Sequence, residues 1–319
     1  MNPYIGDEKQ LSGFYRFQYT EGRMTGLNAL EVYNQTGLRF TVLVDRGLDI
    51  SAASLNGKNL VFYSQSGYAA PSYFQNGGLE WLKIFGGGLM TTCGFQNAGP
   101  GEDSAEGLHG LHGRATSIPA IDLSTSRYMQ DGDEVLEISG KVTEGVIFGS
   151  KLELFRKIKT FAQKNIITVE DVITNKSFED SLIMLLYHCN FGYPLLSETA
   201  AVEFNADVSI PRDAEARKCS GGYKNILPPT QGFKEQVFFH SGVDNVTIRN
   251  NSMSVTVKWN KSELPQFTQW NNFAKGDYVM GIEPGNTNPI GRTAFENSDK
   301  AEYLKPGQSK NVTLSFEIN

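Results

Sequence analysis

The sequence is poor in the residues that build disulfide frameworks and metal clusters. It has only three cysteines among 319 residues, at positions 93, 189 and 219. An odd number of widely separated cysteines argues against a disulfide framework and favours a reducing compartment. The cytoplasm is therefore the expected location. The cysteine spacing also lacks the close pairs that are typical of structural zinc sites.

Long apolar runs and clusters of positive charge are missing as well. No segment approaches the roughly 18 consecutive apolar residues that a membrane-spanning helix needs. Residues 1–10 lack the apolar core of a secretory signal. The net charge is −6 and the pI is about 5.4. These features predict a protein that binds neither a membrane nor nucleic acid.

The common cofactor and nucleophile motifs are absent too. The glycine run at 86–88 has neither the Gly-Lys-Ser/Thr ending of a phosphate loop nor the spacing of a dinucleotide site. No Gly-x-Ser-x-Gly sequence occurs. We therefore expect chemistry that uses no cofactor and no metal ion.

Glycine and alternating apolar residues are what the sequence does have. The 33 glycines and the aromatic content of 11% suit many strands joined by tight turns. Apolar residues at every second position are typical of half-buried strands. This pattern predicts strands within 38–44, 132–142, 150–174, 252–259 and 311–318.

Two segments depart from this alternation. Residues 182–186 are continuously apolar, which predicts either a strand buried on both faces or a short buried helix. Residues 78–85 are compatible with one short helix that ends at the following glycines. The whole pattern predicts an all-β protein in which residues 1–319 form a single sandwich-type domain.

Histidine is scarce, and three of the four histidines stand in unusual surroundings. His109 and His112 lie in the glycine-rich segment 107–114, which leaves room for a ligand beside each imidazole. His188 follows the apolar strand, where burial can shift its pKa. Each is equally compatible with a hydrogen-bonded core histidine. His240, which follows two phenylalanines, is interpreted as structural.

Glu283 is the best candidate for a general base. It follows an apolar stretch, and Pro284 and Gly285 fix the turn after it. The alternative is an ordinary glutamate at the end of a strand. Trp81 is suited to stacking on the apolar face of a sugar, although a lone tryptophan more often belongs to the core.

Three cations are further candidates for substrate binding. Arg46 ends an alternating strand, and its guanidinium suits either sugar hydroxyls or an ion pair with Asp45 or Asp49. Lys83 and Arg114 are each suited to an anionic substituent on the substrate.

Five short motifs occur in an order that is more specific than any one of them. They are Val-Asp-Arg-Gly-Leu-Asp at 44–49, Gly-Gly-Leu at 87–89, Leu-His-Gly-Arg at 111–114, Tyr-His-Cys-Asn-Phe-Gly-Tyr-Pro at 187–194 and Gly-Ile-Glu-Pro at 281–284. In this arrangement the chain resembles the galactose mutarotase-like superfamily of aldose 1-epimerases, and most closely its DUF4432 branch. The resemblance implies a large antiparallel β-supersandwich.

The resemblance also implies roles for particular residues in these motifs. Glu283 would take the proton of the anomeric hydroxyl, and His188 would protonate the ring oxygen. The opened aldehyde would then rotate and reclose on its other face. His112 is similar to the family's first histidine, which binds and polarises the sugar, and Arg46 resembles its early substrate-binding arginine. Because Leu-His-Gly is doubled here, His109 is an alternative to His112.

The residue types themselves suit this chemistry. A glutamate and a histidine in separate environments supply a base and an acid on opposite sides of one hemiacetal. Two other functions stay open. The residues His109, His112, His188 and Glu283 would also suit a zinc or manganese site in a sugar isomerase, and the same scaffold would suit a non-catalytic sugar-binding protein. The expected partner is a small-molecule carbohydrate, and a homodimer is left open.

Overall fold

Strands dominate the computed structural model, which describes residues 3–104, 106–219 and 222–319. Its helices are all short. Within these ranges no helix is long and apolar enough to cross a membrane. The all-β prediction is therefore confirmed.

Twenty-three strands occur in the described part of the chain, and their pairings are antiparallel. The strands are β1 (Gly13–Gln18), β2 (Asn28–Tyr33), β3 (Leu38–Leu43), β4 (Asp49–Leu55), β5 (Lys58–Asn59), β6 (Thr91–Phe95), β7 (Glu102–Ser104), β8 (Gly107–His109), β9 (Ile121–Gln130), β10 (Asp133–Gly145), β11 (Lys151–Phe161), β12 (Lys164–Asn175), β13 (Ser181–Leu182), β14 (Met184–Phe191), β15 (Ala201–Glu203), β16 (Val208–Pro211), β17 (Gln236–Ser241), β18 (Asn245–Arg249), β19 (Ser254–Trp259), β20 (Gln266–Phe273), β21 (Tyr278–Gly285), β22 (Tyr303–Leu304) and β23 (Ser309–Ile318).

The helical segments are single turns or little more. Two are α-helical, α1 (Ala214–Arg217) and α2 (Arg292–Glu296). The others are 3-10 helices at Glu8–Gln10, Gly22–Met24, Pro71–Tyr73, Glu80–Lys83 and Ala115–Ser117.

Three large sheets form the body of the protein. The first has the order β1-β2-β3-β4-β5, and the second has the order β15-β18-β19-β23-β12-β11-β10-β9. The third sheet, which carries the candidate site, has the order β16-β17-β20-β21-β14-β6. One large apolar core joins residues from all three, as expected for sheets packed face to face.

The sequence pattern located the strands well. The alternating segments correspond to β3, β10, β11, β12, β19 and β23, and along β23 every second residue from Val312 to Ile318 is buried. The continuously apolar segment is a strand rather than a helix, because all of β14 is buried between β21 and β6. The short helix predicted within 78–85 is the 3-10 turn Glu80–Lys83.

A buried network of charges ties the three sheets together. Arg156 on β11 donates to both carboxylate oxygens of Asp171 on β12, at 2.9 and 2.7 Å. Its other terminal nitrogen lies 2.9 Å from Thr92 Oγ1 on β6 and 3.3 Å from Asp49 Oδ1 on β4. Tyr187 on β14 donates its hydroxyl to Asp171 at 2.6 Å. Both side chains of the Arg156–Asp49 pair are 0% exposed.

Replacing Arg156 by methionine should destabilise the protein strongly. The change leaves two carboxylates buried without their cation, which typically costs about 3–5 kcal/mol. Urea denaturation near neutral pH measures this loss. The matched control is Arg39→Met, which breaks an exposed pair with Glu31 and should cost no more than about 1 kcal/mol. Similar losses in the two variants would contradict a structural role for the network.

Candidate active site

His188 and Glu283 face each other from neighbouring strands of the third sheet. Cys189 of β14 lies opposite Ile282 of β21, and antiparallel pairing therefore puts the next residues, His188 and Glu283, opposite each other. Their atoms Nε2 and Oε1 are 3.3 Å apart. His188 is 5% and Glu283 2% exposed, so the pair is almost entirely removed from bulk water.

Burial disfavours the charged form of both members of this pair. It raises the pKa of Glu283 well above its usual range, with a smaller effect in the same direction from Glu235. It lowers the pKa of His188 to about 3, and His112 adds to this shift. Burial therefore favours a protonated carboxyl group beside a neutral imidazole over an ion pair. The sequence suggested an acid and a base on opposite sides of the substrate. In the structure, His188 and Glu283 are instead in direct contact with each other.

Aromatic rings surround the pair. The centroid of the His188 ring lies 5.2 Å from Phe85, 5.3 Å from Trp270 and 5.7 Å from His112. Trp81 stacks on Phe85 at 4.5 Å, with 20° between the ring planes, and lies 4.8 Å from His112. These five side chains line a cavity of about 580 Å³ together with Glu283. This volume is typical of a small-molecule site.

Glycines give the site its shape. The residue His112 has a φ of +57° and precedes Gly113, whose φ is +70°. A Cβ at Gly113 would lie 2.5 Å from the carbonyl oxygen of Gly94, so only glycine fits there. A Cβ at Gly281 would lie 2.6 Å from Oε1 of Glu283. Gly281 therefore leaves the space that the carboxyl group occupies.

Several polar atoms of the lining residues lack a protein partner. Among the described residues nothing hydrogen-bonds to Trp81 Nε1, His112 Nδ1, His188 Nδ1 or Glu283 Oε1. These atoms are buried, and leaving a buried polar group unpaired costs free energy. A concentration of them around one cavity is typical of a functional site rather than of a packed core.

Sequence reasoning missed the residues at the rim of the cavity. Trp270 Nε1 donates to Glu235 Oε2 at 2.8 Å, and the other oxygen of Glu235 pairs with Arg212 at 2.9 Å. Arg212 also pairs with Asp213 at 2.9 Å, so its guanidinium is held by two carboxylates. No short motif marks these residues. Strand pairing is what brings Trp270 to the cavity, because the register of β20 and β21 sets it opposite Gly281.

The predicted role of Arg46 needs correction. Its buried guanidinium donates to the carbonyl oxygens of Ala69 and Ile84, at 2.9 and 3.3 Å, and lies 3.4 Å from Thr116 Oγ1. The side chain therefore holds neighbouring loops together and does not line the cavity. Its carbonyl partners take the place of the ion pair that the sequence suggested with Asp49.

The remaining predicted residues divide between two places. Trp81 and His112, which the sequence suggested as substrate-binding residues, line the cavity. Lys83 does not; it is exposed and pairs with Glu80 at 2.6 Å. His109 and Arg114 line a separate, smaller cavity.

The positions of the three histidines test the hypothesis of a zinc or manganese site. Because His109 lies in the smaller cavity, the expected set of three histidines and one glutamate is not assembled. Across residues 3–104, 106–219 and 222–319, no group of three or more His, Cys, Asp or Glu side chains is placed to hold a metal ion. The three cysteines are free, and Cys93 and Cys189 are buried.

Comparison with known proteins places the chain in a family. Residues 24–318 match the sequence pattern of a domain of unknown function, DUF4432. The chain belongs to the DUF4432 family. No curated protein matches the sequence.

Solved structures show the same fold. A candidate aldose 1-epimerase from Klebsiella pneumoniae subsp. pneumoniae MGH 78578 superposes with a TM-score of 0.91 at 23% identity, over 98% of this chain and 86% of that one. A galactose mutarotase-like protein from Clostridium acetobutylicum gives 0.66 at 12% identity, over 97% and 99%. Galactose 1-epimerase from Lactobacillus acidophilus NCFM gives 0.61 at 14%, over 97% and 99%. The DUF4432 chain thus has the galactose mutarotase-like β-supersandwich fold.

Replacing Glu283 by glutamine should stabilise the protein increasingly as the pH rises. The folded state keeps the Glu283 proton at pH values where the unfolded chain, with an ordinary carboxyl pKa of 4.5, has released it. Each pH unit in that range lowers the free energy of unfolding by up to about 1.4 kcal/mol. An amide cannot ionise, so Glu283→Gln escapes this loss.

Urea denaturation at about pH 5 and about pH 8 measures the effect, which follows from proton linkage. The advantage of Glu283→Gln over the wild type should be larger at the higher pH. The control Glu203→Gln changes an exposed carboxylate paired with Arg249 and should show no such gain. Parallel pH curves for the wild type and Glu283→Gln would mean that Glu283 is ionised in the folded protein.

Proposed function

We propose that this protein is an aldose 1-epimerase-like enzyme, which interconverts the anomers of a sugar or sugar derivative by opening and reclosing its ring. The observation that carries the proposal is the buried pair His188–Glu283, with 3.3 Å between Nε2 and Oε1, in an aromatic-walled cavity. The fold supports the proposal, because the similar structures include a galactose 1-epimerase. Fold alone does not define a reaction, so the argument rests on the site.

The contact between the two groups suits the chemistry of a hemiacetal. The anomeric hydroxyl and the ring oxygen are bonded to the same carbon, so an acid and a base that touch each other can reach both oxygens. Glu283 takes the hydroxyl proton while His188 gives a proton to the ring oxygen. The bond between the anomeric carbon and the ring oxygen then breaks, which leaves a free aldehyde. Rotation of the aldehyde and the reverse steps give the other anomer.

The position of the proton on the His188–Glu283 pair defines the state from which this reaction starts. Burial favours a resting pair with its one proton on Glu283, because it raises the pKa of Glu283 well above its usual range and lowers the pKa of His188 to about 3. For Glu283 to act as the base, that proton first moves to His188 across the 3.3 Å between them. One proton then enters the pair and another leaves it. The pair therefore carries one proton before and after ring opening.

The surrounding rings supply binding rather than proton transfer. Trp81 and Trp270 offer apolar faces on which a sugar ring can stack, and Nε1 of Trp81 is a donor without a protein partner among the described residues. Burial lowers the pKa of His112 to about 4, so this imidazole is neutral near pH 7. A neutral ring can donate a hydrogen bond to the sugar without adding a charge to the site.

Removing either member of the pair should abolish most of the turnover. We expect Glu283→Gln and His188→Asn each to lower the rate at least ~10²-fold, the usual contribution of a general acid or base. NMR exchange spectroscopy of anomeric protons measures the rate across a panel of aldoses, uronates and ketoses. The exposed variant Glu203→Gln serves as the control.

The outcomes of this experiment separate the candidate functions. Exchange that both variants lose establishes the epimerase and identifies the substrate class. Near-normal exchange in one variant removes that residue from the mechanism. Sugar binding without any wild-type exchange would instead establish a non-catalytic sugar-binding protein on this fold.

The pH dependence of turnover should be bell-shaped, with an unusually low acid limb. On the acid side, activity falls when the pair gains a second proton, because no base is then left. The pKa of His188 is about 3, so this protonation occurs far below the ordinary imidazole pKa of 6.5. On the basic side the pair loses its only proton, and the raised pKa of Glu283 moves this limb above the usual carboxyl range. Measuring kcat/KM against pH, after subtraction of the uncatalysed rate, locates both limbs. An acid limb between about pH 6 and 7, the ordinary range for imidazole, would contradict a buried neutral pair.

A further inference from the structure

A second cavity lies behind the turn that carries His112. Its volume is about 270 Å³, just below the range of roughly 300–1,000 Å³ that is typical of sites for drug-sized ligands. His112 itself lines the larger cavity, whereas Gly113 and Arg114, the next residues along the chain, line the second. The polar lining of the second cavity includes Gln96, Glu106, His109, Arg114 and Glu144.

The carboxyl group of Glu144 belongs to this cavity. Glu144 lies on β10 and is 3% exposed. Its Oε2 accepts the backbone N–H of Phe95 at 2.8 Å. Burial raises the pKa of Glu144 to about 7, against the lowering effects of Phe95, Arg114 and Arg292, and Glu106 adds to the rise. The group is therefore a hydrogen-bond donor below neutral pH.

Arg114 is the free cation of the cavity. It is exposed, and its guanidinium makes no ion pair or hydrogen bond with any residue that the structure describes. The neighbouring Arg292 is engaged, because it donates to the carbonyl oxygen of Gln96 at 2.9 Å and lies 3.7 Å from Glu106. The side chain of Gln96 is buried, and its Nε2 has no partner among the described residues.

The two other titratable groups of the lining already have polar partners in the protein. Glu106 accepts hydrogen bonds from the backbone N–H and the hydroxyl of Ser150, at 2.9 and 3.0 Å. His109 Nε2 lies 2.6 Å from Ser104 Oγ. Burial, and then Arg292, lower the pKa of His109, against smaller effects of neighbouring acidic residues. The ring is therefore mostly neutral near pH 7.

We propose that this second cavity is a binding site for a small carboxylate. Arg114 supplies the ion pair, and the carboxylic acid of Glu144 and the amide of Gln96 supply hydrogen bonds. The Arg114 guanidinium, the protonated Glu144 and the N–H groups of the Gln96 amide are donors, as a carboxylate requires, whereas a cationic ligand would meet the unpaired guanidinium. The volume of about 270 Å³ suits a small ligand. His109, in the first half of the doubled Leu-His-Gly motif, also lines this cavity.

Ligand-observed NMR titration with lactate tests the proposal, with lactamide as the uncharged counterpart. At about pH 6 the wild type should bind lactate at least about tenfold more tightly than lactamide, the usual contribution of one charge-assisted pair. Arg114→Gln should weaken lactate binding by a similar factor. The control Arg16→Gln, which removes an exposed arginine from β1, should leave it unchanged.

The pH dependence and two further variants locate the ligand. Wild-type affinity should fall by up to about tenfold per pH unit above neutrality as Glu144 ionises, while Glu144→Gln should bind equally at about pH 6 and about pH 8 because an amide stays a donor. Glu283→Gln should bind lactate like the wild type, since it alters only the larger cavity. Equal binding of lactate and lactamide, no lactate binding, or full affinity in Arg114→Gln would overturn the proposal. Arg114 is exposed, so its variant decides the matter even if Glu144→Gln fails to fold.

Discussion

Arg156 places a permanent positive charge where water cannot reach it, and its surroundings are arranged around that charge. Two aspartates, a threonine hydroxyl and two backbone carbonyl groups converge on the guanidinium from strands and a turn that are far apart in the sequence. An unpaired charge in this position would be very unfavourable. The sheets must therefore meet in the one arrangement that brings these partners together.

This constraint reaches the candidate site through one strand. Tyr187 donates to Asp171 within the network, and the next residue, His188, lines the cavity. Successive side chains of a strand point to opposite faces of the sheet. The contact that fixes Tyr187 thus also fixes the strand from which His188 projects. In the network, ion pairs offset the cost of removing charged groups from water. At Glu283 this cost is largely uncompensated, and burial therefore raises the pKa of its carboxyl group.

Short-range patterns were sufficient for the strands and for part of the site. Alternation located β19 and β23 because it depends only on which face of a strand is buried. His188 and Glu283 could be recognised because each stands in a motif at the edge of an apolar stretch. The motif order indicated the family, which the match over residues 24–318 confirms.

The rest depended on contacts between distant segments. Trp270 and Glu235 reach the cavity only through strand pairing, which no local pattern encodes. Arg46 was misjudged because its carbonyl acceptors come from loops 23 and 38 residues further along the chain. An arginine at the end of a strand looks the same in a sequence whether it meets solvent or such loops. The doubled Leu-His-Gly motif was ambiguous in the same way, because His109 and His112 line two different cavities.

The contact between His188 and Glu283 has an electrical consequence for the proposed reaction. The proton removed from the sugar and the proton returned to it pass through one pair, so the total charge of the site is the same in every state of the cycle. A buried site whose total charge stays constant needs no counter-ion to enter, although proton transfer to His188 separates charge within the pair. With an uncharged sugar, such a reaction should depend little on ionic strength, because the total charge of the site does not change.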